Sequence, residues 1–208
     1  MGLVMLDYDG VIVDSLAVFS QNFTAACRDH GFAHIQTVQD VIDLFEENVY
    51  LSMLKHGLNE ATINEILDDY KVRQDPYLSG MPLFEGIPEV LERIAQKHLV
   101  FVITSNLSSA TEAVLRQNGI QCIKEVIGAE QEKSKVRKIK RVCTLYPDLP
   151  AFYIGDTQGD MIEGREAGAC PIAVTWGWHS EEQLLRGNPD YVARTPRELT
   201  DILCNHIT

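Results

Sequence analysis

Short continuous apolar runs alternate along most of the chain with segments whose apolar residues recur every three or four positions. "GLVML" (2–6), "LVFVIT" (99–104), "AFYIG" (151–155) and "PIAVTW" (171–176) have the unbroken apolar character of strands buried on both faces. "IKEVIG" (123–128) and "YVA" (191–193) predict two further, shorter strands. The helices between them carry their own start and stop signals. Pro88 falls in a first turn ahead of Val90, Leu91 and Ile94, and Ser108 is placed to cap a helix that ends before Gly119. Ser180 with Gln183, and Thr195 with Glu198, have the spacing of capping boxes, and Pro196 fits a first helical position. Strand–helix alternation of this kind predicts an α/β fold, a Rossmann-like doubly wound parallel sheet with right-handed crossovers.

Residues 15 to 80 break the rhythm. They contain no strand run but three helical stripes: Leu16, Phe19, Phe23 and Cys27; Val41, Leu44 and Phe45; and Ile63, Ile66, Leu67 and Tyr70. Gly31 and Gly57 are placed to end helices. The pattern predicts a core made of residues 1–14 and 81–208, with a helical domain, 15–80, inserted between the first and second strands. The Gly- and Pro-containing "SGMPLFEGIP" (79–88) is the expected return hinge.

Composition narrows the function. The chain has 208 residues, 45% of them hydrophobic, enough for a sizeable core carrying a smaller domain. No apolar run approaches the ~20 residues of a membrane span, and no signal peptide is visible at the N-terminus. Five scattered cysteines without a CxxC spacing suggest reduced thiols and a cytoplasmic setting. A net charge of -12 disfavours nucleic acid and anionic membranes as partners. It does not disfavour a phosphate substrate, because a bound metal can dominate the charge at a site.

In parallel α/β sheets, ligands bind at the carboxyl ends of the strands. There the sequence places Asp7 and Asp9 after the first strand, Thr104, Ser105 and Asn106 after the second, and Asp156 and Asp160 in "GDTQGD" after the fourth. Ahead of the fourth strand a helix opens with "EKSKVRKIK" (132–140). Phosphoryl transfer uses such a set. A carboxylate attacks phosphorus, a divalent cation offsets the repulsion, and a second carboxyl group moves the proton. An ammonium, a hydroxyl and backbone amides bind the remaining oxygens.

These segments, "DYDGVIVDS" (7–15), "TSN" (104–106), Lys135 in "SKVRKI" and "GDTQGD" (155–160), resemble in order and spacing the four motifs of the haloacid dehalogenase superfamily in its phosphatase form. The resemblance covers nearly the whole chain and leans towards the phosphoglycolate phosphatase and β-phosphoglucomutase branch, whose helical cap would be the insertion. It implies that Asp7 is the nucleophile and Asp9 the general acid and base. Asp7, the backbone carbonyl of Asp9, and Asp156 would hold Mg²⁺. Asp160 would support the metal site through a water or by orienting Lys135. Thr104 with the amides of Ser105 and Asn106, and Lys135, would bind the phosphoryl group, and Gly10 would allow the turn that aims both aspartates inward.

Simpler readings stand beside these. Asp9-Gly10 is a common turn signal, Asp14 and Ser15 suit a helix start, and Lys133, Lys135, Lys138 and Lys140 have the spacing of a solvated face. Lys135 is preferred over Lys133 because it follows the cap candidate Ser134. Trp176, Trp178 and His179 are expected to pack the loop after the fifth strand. Arg28, Lys55, His56, Lys71 and Arg73 are expected at the surface of the inserted domain. Residues 15–80 carry ten acidic and four basic residues, which mildly disfavours a polyanionic substrate. The expected activity is therefore Mg²⁺-dependent hydrolysis of a small phosphorylated metabolite by a monomer or homodimer. A sugar-phosphate mutase is the alternative enzyme, and a non-catalytic phosphate-binding protein the alternative of another class.

Overall fold

The computed structural model describes residues 1–206. Six strands, β1 (Leu3–Leu6), β2 (Leu99–Ile103), β3 (Glu125–Ile127), β4 (Ala151–Gly155), β5 (Cys170–Val174) and β6 (Tyr191–Ala193), form one sheet in the order β3-β2-β1-β4-β5-β6. Every pairing is parallel, so the fold is the Rossmann-like α/β class expected from the sequence. The unbroken apolar strands serve two cores, because successive side chains alternate between faces. Val4, Leu6, Val100, Val102, Phe152 and Ile154 pack on one side, and Leu3, Met5, Phe101, Ile103 and Tyr153 on the other.

The order of the strands places the topological switch between β1 and β4. The chain leaves β1 towards β2 on one side, and later returns to β4 on the other, so a crevice opens at the carboxyl ends of this central pair. Asp7 follows β1 there and Asp156 follows β4. The helices flanking the sheet are α5 (Ile87–Ala95), α6 (Ser108–Gln117), α7 (Lys135–Leu145), α8 (Gln158–Glu166), α9 (Glu181–Arg186) and α10 (Pro196–Asp201).

Residues between β1 and α5 fold into four helices: α1 (Leu16–Asp29), α2 (Val38–Leu44), α3 (Val49–Lys55) and α4 (Glu60–Leu78). The expected stripes become one separate cluster, in which Phe19, Phe23, Cys27, Val41, Leu44, Ile63, Ile66 and Tyr70 are buried together. Helix α3 ends before Gly57, a stop legible in the sequence, but shows no stripe of its own there. It is only seven residues long and starts because Asn48 accepts from the amides of Tyr50 and Leu51. The two ends of this insertion run side by side. The amide of Asp14 donates to the carbonyl of Pro82 (2.9 Å), and Phe84 donates to Ile12 (3.1 Å). No helix among the described residues is long and apolar enough to cross a membrane.

Three local expectations need correction. Ser108 is not the cap of α6 but its first residue; its amide and hydroxyl donate to Glu130 instead. The Thr195 box is half made, because Thr195 accepts from the Glu198 amide while the Glu198 carboxylate takes the amide of Arg194. Lys138, expected on a solvated face, is buried. The Ser180–Gln183 box is complete.

His98 ties the chain's ends together. Its Nδ1 accepts from the Gly2 amide (3.1 Å) and its Nε2–H donates to the Leu203 carbonyl (3.0 Å), which fixes the neutral ring. Burial holds its pKa below the ordinary imidazole value of 6.5. The folded state therefore binds this proton less readily than the unfolded chain, and its contribution to stability, present above that value, is lost as pH falls through the depressed folded pKa. His98→Ala should lower the urea-derived unfolding free energy at neutral pH by about 1–3 kcal/mol, the cost of orphaning the buried Gly2 amide and Leu203 carbonyl. The same variant should flatten the dependence of stability on acid.

Candidate active site

The site is a crowd of carboxylates organised by one lysine. Ser134 accepts from the Arg137 amide and so starts α7 at Lys135, placing that side chain over the crevice. Lys135 Nζ donates to Asp7 Oδ2 and to Asp160 Oδ1, both at 2.7 Å. Lys133, the alternative motif lysine, lines the neighbouring cleft but reaches neither aspartate. Oxygens of Asp7, Asp156 and Asp160 all lie within 4.8 Å of one another, and all three residues are buried.

Each carboxylate has a different task by its contacts. Asp160 accepts four hydrogen bonds: Lys135 and the Tyr153 hydroxyl (3.1 Å) on Oδ1, and the Thr157 hydroxyl (2.7 Å) and amide (3.2 Å) on Oδ2. It closes the capping box that starts α8, a Thr-x-x-Asp signal readable in the sequence, and its oxygens are filled. Asp160 thus orients Lys135. Asp7 and Asp156 keep lone pairs to spare: Asp7 accepts from Lys135 and the Tyr8 amide (2.8 Å), and Asp156 Oδ2 from the Trp178 amide (2.8 Å).

Burial pushes the Asp7 pKa up to about 7; Lys135 opposes this and Asp160 adds to it. Burial, then repulsion from Asp160 and Asp7, holds Asp156 well above the carboxylate range. Burial would raise Asp160 as well, but the Lys135 charge together with hydrogen bonds from Lys135, Thr157 and Tyr153 brings it below the ordinary carboxylate value. Two buried oxygen ligands that repel each other, beside a third fixed carboxylate, suit a hard divalent cation such as Mg²⁺.

Asp9 stands apart from this group. Its Oδ2 accepts from the Asn106 side chain (2.7 Å), and burial raises its pKa while hydrogen bonds from Ser15 and Asn106 oppose the rise. In the second motif the Asn106 amide donates to Thr104 Oγ1 (3.0 Å). The threonine keeps its own hydroxyl proton to donate. Asn106's link to Asp9 and the Trp178 amide on Asp156 were not predicted, because they join positions 97 and 22 residues apart, and Tyr153 meets Asp160 only through the turn from β4 into α8. Ser105 lines a cleft of about 60 Å³ with Lys133, Lys135, Asp160 and Glu163 from the core and Phe45, Glu47 and Asn48 from the insertion.

The insertion sits on this cleft through polar contacts: the Asn48 side chain donates to Glu163 (3.0 Å), and His179 Nε2–H to the Ile42 carbonyl (3.0 Å). Trp178 packs against Phe19 and Phe45, with ring centroids 4.6 and 5.1 Å away. The basic residues of the insertion face elsewhere. Arg73 pairs with Asp29 and Asp69, Lys71 with Asp68, Arg28 with Asp29, and His56 bonds Ser52; Lys55 reaches the cleft only through Glu47.

A parallel switch-point crevice carrying paired aspartates, a hydroxyl and a buried lysine suits phosphoryl transfer. The chain belongs to the haloacid dehalogenase-like hydrolase family, whose profile matches residues 4–174, and its curated relatives place it among that family's phosphatases. It is 26% identical over 203 residues to a phosphoglycolate phosphatase of Synechococcus elongatus, covering 96% of this chain and 95% of the other. It is 24% identical to an N-acetylmuramic acid 6-phosphate phosphatase of Pseudomonas aeruginosa, covering 96% and 93%. Among solved structures, a haloacid dehalogenase-like hydrolase from Streptococcus pneumoniae superposes with a TM-score of 0.76 at 23% identity over 96% of each chain. A hydrolase from Pseudomonas syringae gives 0.81 at 14% identity over 98% of each.

Two outcomes test the site. A metal would need Asp7 and Asp156 unprotonated, so any rise in melting temperature on adding Mg²⁺ should shrink as pH falls below about 7. Gly10 has φ +73°, and a Cβ there would run into the Asp156 carboxylate. Gly10→Ala should abolish the Mg²⁺ shift and destabilise the fold by at least about 1 kcal/mol.

Proposed function

We propose that the protein is a Mg²⁺-dependent phosphatase for a small phosphorylated metabolite, working through an aspartyl-phosphate on Asp7. The observation that carries this reading is the Lys135 ammonium held between Asp7 and Asp160 beside Asp156, at the mouth of the β1–β4 crevice. Asp7, Asp156 and the backbone carbonyl of Asp9 would hold Mg²⁺, which when bound supplies the positive charge that lets a carboxylate approach a phosphate.

Asp7 attacks phosphorus while the bond to the leaving oxygen breaks, and Asp9 gives that oxygen its proton. A pKa raised by burial, against the Ser15 and Asn106 hydrogen bonds, suits Asp9 to carry the proton. Asp9 then takes a proton from water, whose oxygen bonds to phosphorus and frees Asp7 and phosphate. Lys135 and the Thr104 hydroxyl neutralise and orient the phosphoryl oxygens. The insertion acts as a cap that excludes bulk water, with residues 45–49 over the cleft and hinges at 14–16 and 79–86. The acidic insertion disfavours a polyanionic substrate, and the relatives named for phosphoglycolate and for N-acetylmuramic acid 6-phosphate mark the range of substrates to try first.

Phosphate release from an aryl phosphate should require Mg²⁺ and fall by roughly a thousand-fold or more in Asp7→Asn. Full turnover by that variant would exclude the aspartyl-phosphate route. Asp9→Asn should slow alkyl phosphates by about 10²- to 10⁴-fold and aryl phosphates less, since a phenolate leaves without a proton. Isomerisation of a sugar phosphate without net phosphate release would instead identify a mutase.

A further inference from the structure

One buried charge lies behind this site with no part in the steps above. Lys138 follows Lys135 by three residues on α7, so the two side chains share a helix face. Lys138 is 0% exposed, and its Nζ donates to the Thr104 carbonyl at 2.5 Å. Among the described residues no carboxylate forms an ion pair with it. The nearby acids are engaged elsewhere: Glu130 accepts from Ser108, and Glu132 from the Ser134 amide and Arg137. A buried ammonium without a carboxylate is expensive, and a methionine would fill the same space without that cost.

Its single acceptor leads into the reaction. Thr104 Oγ1 accepts from the Asn106 amide, and Asn106 Nδ2 donates to Asp9 Oδ2, so an unbroken line of contacts runs from Lys138 to Asp9. We propose that Lys138 is a positioning residue that clamps the turn 104–106, keeps the Thr104 hydroxyl and the Asn106 side chain aimed at phosphoryl group and Asp9, and sets a fixed positive charge beneath the phosphoryl oxygens. Burial, reinforced by Lys135 and opposed by Asp7, Glu130 and Glu132, pushes its pKa down to about 8, so it is charged at neutral pH and an arriving anion would strengthen that charge.

The inference rests on the phosphatase reading and is tested together with it. Wild type and Lys138→Met are compared for inhibition by orthovanadate in Mg²⁺, for kcat and KM on an aryl phosphate, and for melting temperature. The expected result is an unchanged or raised melting temperature, vanadate binding weakened by about 10- to 100-fold, and a matching fall in kcat/KM. Vanadate binding and kcat/KM equal to wild type per folded molecule would make Lys138 a packing residue and overturn the inference alone. Absence of Mg²⁺-dependent vanadate binding in the wild type would overturn the phosphatase reading and the inference with it. Should the variant not fold, the ¹³Cε resonance of Lys138 is titrated in the wild type with and without orthovanadate. An upward shift of its titration midpoint on binding supports the role, and an unmoved midpoint overturns it.

Discussion

Mutual repulsion among Asp7, Asp156 and Asp160 is the constraint around which the molecule is arranged. Three carboxylates with oxygens within 4.8 Å of one another, all buried, would not stay ionised together in an apolar crevice. Lys135 answers part of that repulsion by bonding two of them at once. Removing one partner from a buried pair of this kind costs about 3–5 kcal/mol, so its local geometry is held firmly. What the lysine leaves unanswered is the demand of Asp7 and Asp156 for a further cation. Structural tension and chemical competence are the same property here.

The surrounding elements serve that arrangement by delivering each group from a rigid end. β1 and β4 are hydrogen-bonded neighbours, and each ends directly before an aspartate. Ser134 and Thr157 start α7 and α8 where Lys135 and Asp160 are needed. Asp160 does two jobs with one carboxylate, holding the first turn of α8 and the ammonium of Lys135. The loop after β5 adds a third kind of support, because Trp178 gives its amide to Asp156 and its ring to the aromatic cluster of the insertion. A displacement of the insertion is therefore felt at Asp156 through a single residue.

Much of this is written locally. The apolar runs of β1, β2, β4 and β5 are legible because strands buried on both faces need no alternation, and the caps Ser134 and Ser180 are legible because their partners lie three residues away. Of α3 only the stop at Gly57 is legible, because its buried residues, Ser52 and Met53, make no apolar stripe. The positions of Asp7, Asp9, Asp156, Asp160 and Lys135 follow from motif order; their contacts do not. Asn106 on Asp9 and Asn48 on Glu163 join residues 97 and 115 apart, a distance no local pattern spans. Lys138 shows the opposite failure. Composition places a run of basic residues in water, and only the packing of α7 against the sheet turns one of them inward.

The paired ends of the helical insertion carry one more meaning. Because Asp14 and Pro82 meet as hydrogen-bonded neighbours, the chain departs from the core and comes back to it at nearly the same point. The core's strand order closes without the intervening residues, so the insertion is a modular graft. Any replacement whose termini meet equally closely could be spliced there while β1 still delivers Asp7. Connectivity alone thus separates the insertion from the strands that carry the aspartates, and lets the two change on independent schedules.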